Sequence, residues 1–395
     1  MSNPSEKENV QEPVRFPKCL LKAGRTSVRL LACVPGPSDG TSWYRAVRPL
    51  AKMSQMFPLE VVYNANPSWS DIVGVDAVFI QRPDSQHAYS ICRLAAGLGK
   101  RIWIDYDDNL LAVPEYNMSF QSWSPEVVEV IKKICATASV VTVSTPVIKE
   151  SMEGMNPCIV LLPNAVDFDF YNTYKVERPR TTDEIRIMWR GSDSQSLQLR
   201  ALAPHVLRSL KEFPNVKWIL MCGTTPFQYL RSAPPDRCIW QKWKLIPEVF
   251  ITMLEYQADI HVSLLFDEVF DRSRSPGALM ESIPAGAAFL GPEWWSLPGQ
   301  TLYTPGDLNV QPLITFSDNE LAYASGNFYE KLVELIQKTP EERTALNAET
   351  LQFLQDQASL TRAAEFRWRM LVSCLDQTPV TIKLAPKELN LPQHP

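Results

Sequence analysis

The chain has 395 residues, 45% of them hydrophobic, enough for two domains that each bury a core of their own. A net charge of −5 excludes a global positive field for nucleic acid or anionic membrane and leaves only a local basic groove open. The eight cysteines contain no CxxC pair and the four histidines do not cluster, which argues against a zinc site or a disulfide framework. No apolar run reaches the length of a membrane span, and the polar opening MSNPSEKENVQEPVRFPK lacks a signal-peptide core, so a cytoplasmic, reduced protein is expected.

In chain order, residues 1–26 read as a flexible leader. SVRLLACVP (27–35) is the first strand, and the Ser/Thr-rich loop after it caps a helix carrying Ala46 to Met53. LEVVYNA and VDAVFIQRP are strands, Ser85–Gly97 a helix, and KRIWIDYDDNL a strand ending in acids. PEVVEVIKKICATA is an amphipathic helix, followed by strands in SVVTVSTP and CIVLLPNAVD. Alternating strands and helices over 27–166 predict a doubly wound, Rossmann-like sheet, with ligands beyond the carboxyl ends of its strands. Residues 167–183 lose apolar periodicity and read as a linker. A second βα series runs from EIRIMWRGS through VKWILMCGT and CIWQKW, giving a second Rossmann-like domain over 184–340. Residues 341–395 read as C-terminal helices and a loose tail. The expected fold is α/β: two tandem doubly wound domains facing across a cleft.

The stretch from Ala258 to Gly291 carries the most chemistry. It reads as a buried strand (IHVSLL), a polar loop (FDRSRSPG), a helix opening at Pro276-Gly277 and a second apolar strand (AAFLG). Arginines and hydroxyls ahead of a helix N-terminus suit an anion, and Glu281 on that helix can accept a pair of hydroxyls. Phosphate at the loop and a diol at the glutamate describe a nucleotide sugar; the plainer alternative is a solvated loop beside a surface glutamate.

VLLPNAVD before the linker, WRGS after the first strand of the second domain and FDRSRSPGALMES late in it resemble the GT-B glycosyltransferases, and among them the family-four-like retaining enzymes. GTSWYRAVRPL and IDYDDNLLAVP are similar to a divergent branch found in phages and bacteria. The resemblance implies that Glu281 holds the ribose hydroxyls of a nucleotide and that Arg190, Gly191 and Ser192 face its diphosphate. It places Arg272, Ser273, Arg274 and Ser275 on the diphosphate or the sugar, because preorganised cations stabilise a departing nucleoside diphosphate. Arg190 and Arg274 are thus expected in catalysis. Gly223 (within Cys222-Gly223-Thr224) and Trp243 would border the base, and Ser42, Tyr44, Arg45 and Arg82 the acceptor. Asp105 and Asp107 would position the acceptor hydroxyl or take its proton, and alternation along the strand puts these two on one face, apart from Asp108. The sequence departs from the family where an acid is common, at Ser273, and where the branch often has a lysine, at Ala278. A DxD in DYDD invites a metal, but this class does not need one; the expectation is no metal and no cofactor, with a UDP-sugar as co-substrate.

Two acceptor classes stay open. Phage members of the branch include enzymes that glycosylate hydroxymethylated pyrimidines in DNA, which would need a basic lining from Arg25, Arg29, Arg45, Arg48, Arg82, Arg93, Lys100 and Arg101. Trp43, Trp69 and Trp123 would then contact an extruded base. A carbohydrate or other small acceptor is the alternative. The rivals outside transfer are an inactive nucleotide-binding module and a sugar epimerase of the same fold. No obligate protein partner is expected.

Overall fold

The computed structural model describes residues 15–36, 39–176, 183–223, 226–306, 321 and 323–377, and in it the chain builds two parallel sheets of six strands. Residues 1–14 of the expected leader, 177–182 of the expected linker, Thr224 and the tail from 378 lie outside the described residues. The first sheet holds β1 (Val28–Cys33), β2 (Leu59–Tyr63), β3 (Ala77–Gln81), β4 (Arg101–Tyr106), β5 (Val140–Val143) and β6 (Ile159–Leu161), in the order β2-β1-β3-β4-β5-β6. β3 and β5 are buried along their whole length, as strands covered by helices on both faces must be. The helices begin where side chains can satisfy their first amides: Ser85 ahead of Gln86–Gly97, Ser124 ahead of Pro125–Thr137 and Thr145 ahead of Pro146–Ser151.

The second sheet holds β7 (Ile185–Gly191), β8 (Val216–Cys222), β9 (Cys238–Lys242), β10 (Ile260–Val262), β11 (Ala288–Pro292) and β12 (Thr301–Tyr303), in the order β12-β11-β10-β7-β8-β9. Each sheet therefore reverses direction once, between β1 and β3 in the first and between β7 and β10 in the second. Such switch points open a crevice at the carboxyl edge. Tyr44, Arg45 and Arg82 follow the strands at the first switch; at the second, Arg190 is the penultimate residue of β7 and the 267–277 loop follows β10.

Local structure differs from the sequence reading in several places. Only Ile260–Val262 of IHVSLL is paired as strand, and a one-turn helix, Val269–Arg272, forms inside the arginine-serine loop because Glu268 accepts from the amides of Phe270 and Asp271. Residues 167–183 contain a helix, Phe168–Tyr174, capped by Asp167 and anchored by buried Phe170 and Tyr171. Lys18–Lys22 form a short helix whose first two amides donate to Asp376.

Of the C-terminal helices, Phe328–Gln337 and Pro340–Gln357 pack on the second domain, whereas Leu360–Leu375 leaves it. The chain crosses back beside Val166, whose amide donates to Ala358 while its carbonyl accepts from Leu360. Ala364, Trp368 and Leu371 then complete the core around Leu30, Phe79 and Trp103 of the first sheet, with Trp368 stacked on Phe57 at 5.1 Å. No described helix is long and apolar enough to cross a membrane.

Candidate active site

The loops that leave the carboxyl ends of the first sheet converge on one segment of the second domain. Tyr44, after β1, donates to Glu281 at 2.6 Å, and Tyr116, after β4, donates to Glu268 at 2.8 Å. Between them, Thr145 after β5 donates to the Ser273 carbonyl, and Asn164 after β6 donates to the Ser275 hydroxyl, each at 2.8 Å. The two carboxyl edges thus face each other, and residues 268–281 form the wall that the first domain touches.

Glu281 is the centre of that wall. It is 2% exposed, and Arg190 grips it with a bidentate fork, Nε to Oε2 and Nη2 to Oε1, both at 2.6 Å. Tyr44 adds a second donor to Oε1. Burial opposes the charge on Arg190, but Glu281, through its charge and its hydrogen bonds, together with Tyr44 and Tyr171, raises its pKa. The Tyr44 hydroxyl is pushed well above its usual range by burial and then by the Glu281 charge, so it remains a donor. His261, on β10, is buried with Nε2 unbonded; burial and the Arg190 charge bring it down to about 3, so the ring is neutral beneath the pair.

The loop arginines are also held by acids. Arg272 pairs with Asp267 and lies over the Trp294 ring at 5.4 Å. Arg274 donates from Nε to Asp271 at 3.0 Å. Asp271 is fully buried, and it also accepts from Gln198 and from the Phe266 amide. Its neighbour Glu268 is pushed up to about 7 by burial and by the Asp271 charge. Ser273 is buried, its hydroxyl turned back to the Phe270 carbonyl, and Ser275 faces Asn164.

In the first domain, a π-helical turn at Trp43–Val47 sends neighbouring side chains in different directions: Tyr44 crosses to Glu281, while Arg45 turns inward. Arg45 holds Asp105 through Nε at 2.9 Å and Nη2 at 2.7 Å, with neither side chain more than 1% exposed. Thr142 donates to the same carboxylate, and Arg45 Nη1 reaches the Leu162 carbonyl and Asn164 Oδ1. Ser42 is buried, and its amide and hydroxyl both donate to Asp39.

Asp105 and Asp107 take different partners, although Asp107 lies close enough to Asp105 and Arg45 to feel both charges. β4 ends at Tyr106, so alternation stops there, and Asp107 joins Asp108 on Arg82 instead. Arg82 adopts a left-handed φ of 49°, an uncommon geometry for a side-chain-bearing residue, which swings it over the end of β4. Asp108 takes the 2.8 Å contact and Asp107 only a 3.4 Å one. Burial therefore dominates at Asp107 and, with the Asp108 charge added and Arg82 opposing, pushes it up to about 7. The arginine serves Asp108 first.

The remaining expected residues are more dispersed. A Cβ at Gly191 would lie 2.4 Å from the Trp189 ring, and one at Gly223 would lie 2.5 Å from an Asp193 carboxylate oxygen, so in this structure side chains fill the space beside both glycines. Ser192 is exposed and bonded to Ser194, while Trp243 packs partly against the core around Ile246 and Val249. Among the described residues no group of three or more His, Cys, Asp or Glu side chains is arranged to hold a metal ion.

The sequence reading missed Asn164, Tyr116, Thr145 and Arg367. Asn164 was visible as a strand-end residue in PNAVD, whereas Tyr116 and Thr145 become meaningful only through their partners in the other domain. Arg367, on the final helix, is wholly buried near Arg45 with Nε and Nη2 unbonded, where a helical arginine would ordinarily read as solvated.

No protein-family model matches the sequence, and no curated protein matches it at a significant level. Solved structures do share the architecture. The chain is similar to the sucrose-phosphate synthase of Thermosynechococcus elongatus, with a TM-score of 0.61 at 13% identity over 89% of this chain and 100% of that one. It is similar to Anabaena HepE in complex with UDP, with a TM-score of 0.56 at 13% identity over 88% and 100% of the two chains. A candidate UDP-N-acetylglucosamine 2-epimerase from Listeria monocytogenes gives a TM-score of 0.56 at 10% identity over 91% and 100%. The fold is therefore the two-domain GT-B fold: the alternation of strands and helices predicts its two doubly wound domains, and the motif resemblance implies the GT-B arrangement.

Proposed function

We propose that this chain is a glycosyltransferase that moves a sugar from a nucleoside-diphosphate donor, a UDP-sugar first among them, to an acceptor hydroxyl with retention at the anomeric carbon. The observation that carries this reading is the Arg190–Glu281 pair, placed where the second sheet reverses and faced by Tyr44 of the first domain. Glu281 offers acceptors for a ribose diol; Arg190, which holds it, and Arg274, on the loop ahead of its helix, are the candidates to meet the departing diphosphate; Asp107, whose carboxyl is pushed up to about 7 by burial, is the candidate to receive the acceptor proton. The HepE structure in complex with UDP supports a uridine nucleotide. Asp105 is committed to Arg45, and Asp107 and Asp108 to Arg82, which supports turnover without a bound metal.

Of the two acceptor classes, a carbohydrate or small molecule is favoured over a hydroxymethylated pyrimidine in DNA. Arg25, Arg29, Arg45, Arg48 and Arg82 each pair with a carboxylate, which removes most of the basic lining that DNA would need. A second reading, an inactive nucleotide-binding module, draws on the same kind of observation in the other domain. Arg190, Arg272 and Arg274 each have an acid of their own, so a diphosphate must exchange for a carboxylate. An epimerase is the third, since the fold accommodates one among its relatives.

Incubation with UDP-, GDP-, ADP- and dTDP-sugars, with and without carbohydrate acceptors and hydroxymethylated DNA, separates them. A transferase releases one nucleoside diphosphate faster when its acceptor is present, and continues in EDTA. Release with altered sugar stereochemistry and no acceptor dependence identifies the epimerase, and binding without release the inactive module.

A further inference from the structure

Glu281 carries three donors, and their distribution is uneven. Among the described residues, Oε2 accepts only from Arg190 Nε, whereas Oε1 accepts from both Arg190 Nη2 and the Tyr44 hydroxyl, all at 2.6 Å. A carboxylate has about four acceptor positions, two on each oxygen. The Arg190 fork takes one on each, leaving a second position on each oxygen for a pair of hydroxyls. Tyr44 fills the one on Oε1.

Tyr44 comes from the opposite domain, and its ring is held edge-on to Phe250 of the second domain at 5.8 Å. We infer that Tyr44 is a placeholder for a ribose hydroxyl, and that a nucleoside diphosphate reaches Glu281 by displacing the Tyr44 hydroxyl. This rests on the nucleotide reading of Glu281 given above. Because the displaced group belongs to the first domain, nucleotide entry at Glu281 requires that domain to give up one of its contacts with the 268–281 wall. The apparent affinity is lowered by whatever the Tyr44 bond contributes to the closed arrangement.

Tyr116 supplies a matched comparison. It makes the same kind of interdomain bond, from a first-domain phenol to Glu268, without touching Glu281. General loosening of the domains would follow from removing either hydroxyl, whereas relief of competition follows only from removing that of Tyr44.

The test is calorimetric titration of the full chain with UDP, and with GDP, ADP and dTDP in parallel, for wild type, Tyr44→Phe and Tyr116→Phe. Both substitutions keep the ring and delete one hydroxyl, so folding is checked by the thermal midpoint alone. The expected result is that Tyr44→Phe binds about 3- to 10-fold tighter than wild type, the scale of one net hydrogen bond, while Tyr116→Phe stays within about twofold. Wild-type binding that Tyr44→Phe leaves unchanged or weakens overturns the placeholder and leaves the nucleotide reading standing. Equal tightening in both variants also overturns it, in favour of loosened domains. Absence of saturable binding in all three proteins with all four nucleotides overturns the nucleotide reading and the placeholder with it.

Discussion

Two arginine–carboxylate forks lie on either side of the cleft, and they are built for different ends. Arg45–Asp105 is sealed: its side chains are at most 1% exposed, and Thr142 and Leu162 of the same domain satisfy much of what the fork leaves over. Arg190–Glu281 has the same geometry, but the Arg190 side chain is 21% exposed and the last donor to the carboxylate is borrowed from the other domain. The first pair can change partners only by unfolding its surroundings; the second can do so by moving one domain. Burial and pairing alone therefore do not mark a site in this fold. The origin of the last partner distinguishes the two.

The sharpest way to break that comparison is to remove the acid of the sealed pair. Asp105→Ala leaves Arg45 without its counter-charge beside Arg367, and breaking a buried pair this way costs about 3–5 kcal/mol. Urea unfolding should show that loss; a change below about 1 kcal/mol would mean that solvent reaches the pair and that it is no scaffold.

A smaller effect is expected at Asp107, where the folded protein holds a proton up to about 7 against an ordinary 3.8. The native state then binds more protons than the unfolded chain between those values. The stability this group contributes is complete below about 3.8 and is lost as pH rises towards 7. Glu268 adds a slope of the same sign from 4.5 to about 7. Asp107→Asn should remove its share, about 1–2 kcal/mol across the window, less than the full shift implies because Arg82 sits at a partly solvated edge. Urea midpoints measured from pH 4 to pH 8 check this, and an unchanged slope would place Asp107 in solvent.

How much of this was legible beforehand follows from which forces act locally. Strand burial on both faces, Ser and Thr caps and the Pro276-Gly277 helix start are written in adjacent residues, so both sheets and the Glu281 helix could be placed from sequence. The crossing of the Leu360–Leu375 helix to the first domain was not legible, because Ala364, Trp368 and Leu371 show an apolar face but not which core it covers. That Asp107 shares Arg82 with Asp108 is not legible either, because β4 ends at Tyr106, one residue before strict alternation would reach Asp107. The partners of Arg190, Arg272 and Arg274 were missed for another reason. A cation in a loop looks free in sequence, and only the folded chain brings Glu281, 91 positions away, onto Arg190. Asp267 and Asp271, by contrast, lie close in sequence to Arg272 and Arg274, and their pairing is legible from spacing alone.

The central claim is that Glu281 is the exchangeable carboxylate and binds a nucleotide. The most direct measurement is calorimetric titration of UDP into wild type and Glu281→Ala under identical conditions. The account predicts saturable binding by wild type and a loss of about 1.5–3 kcal/mol, roughly 10- to 150-fold in Kd, in the variant. Equal affinity in the two proteins would contradict it and remove Glu281 from the site.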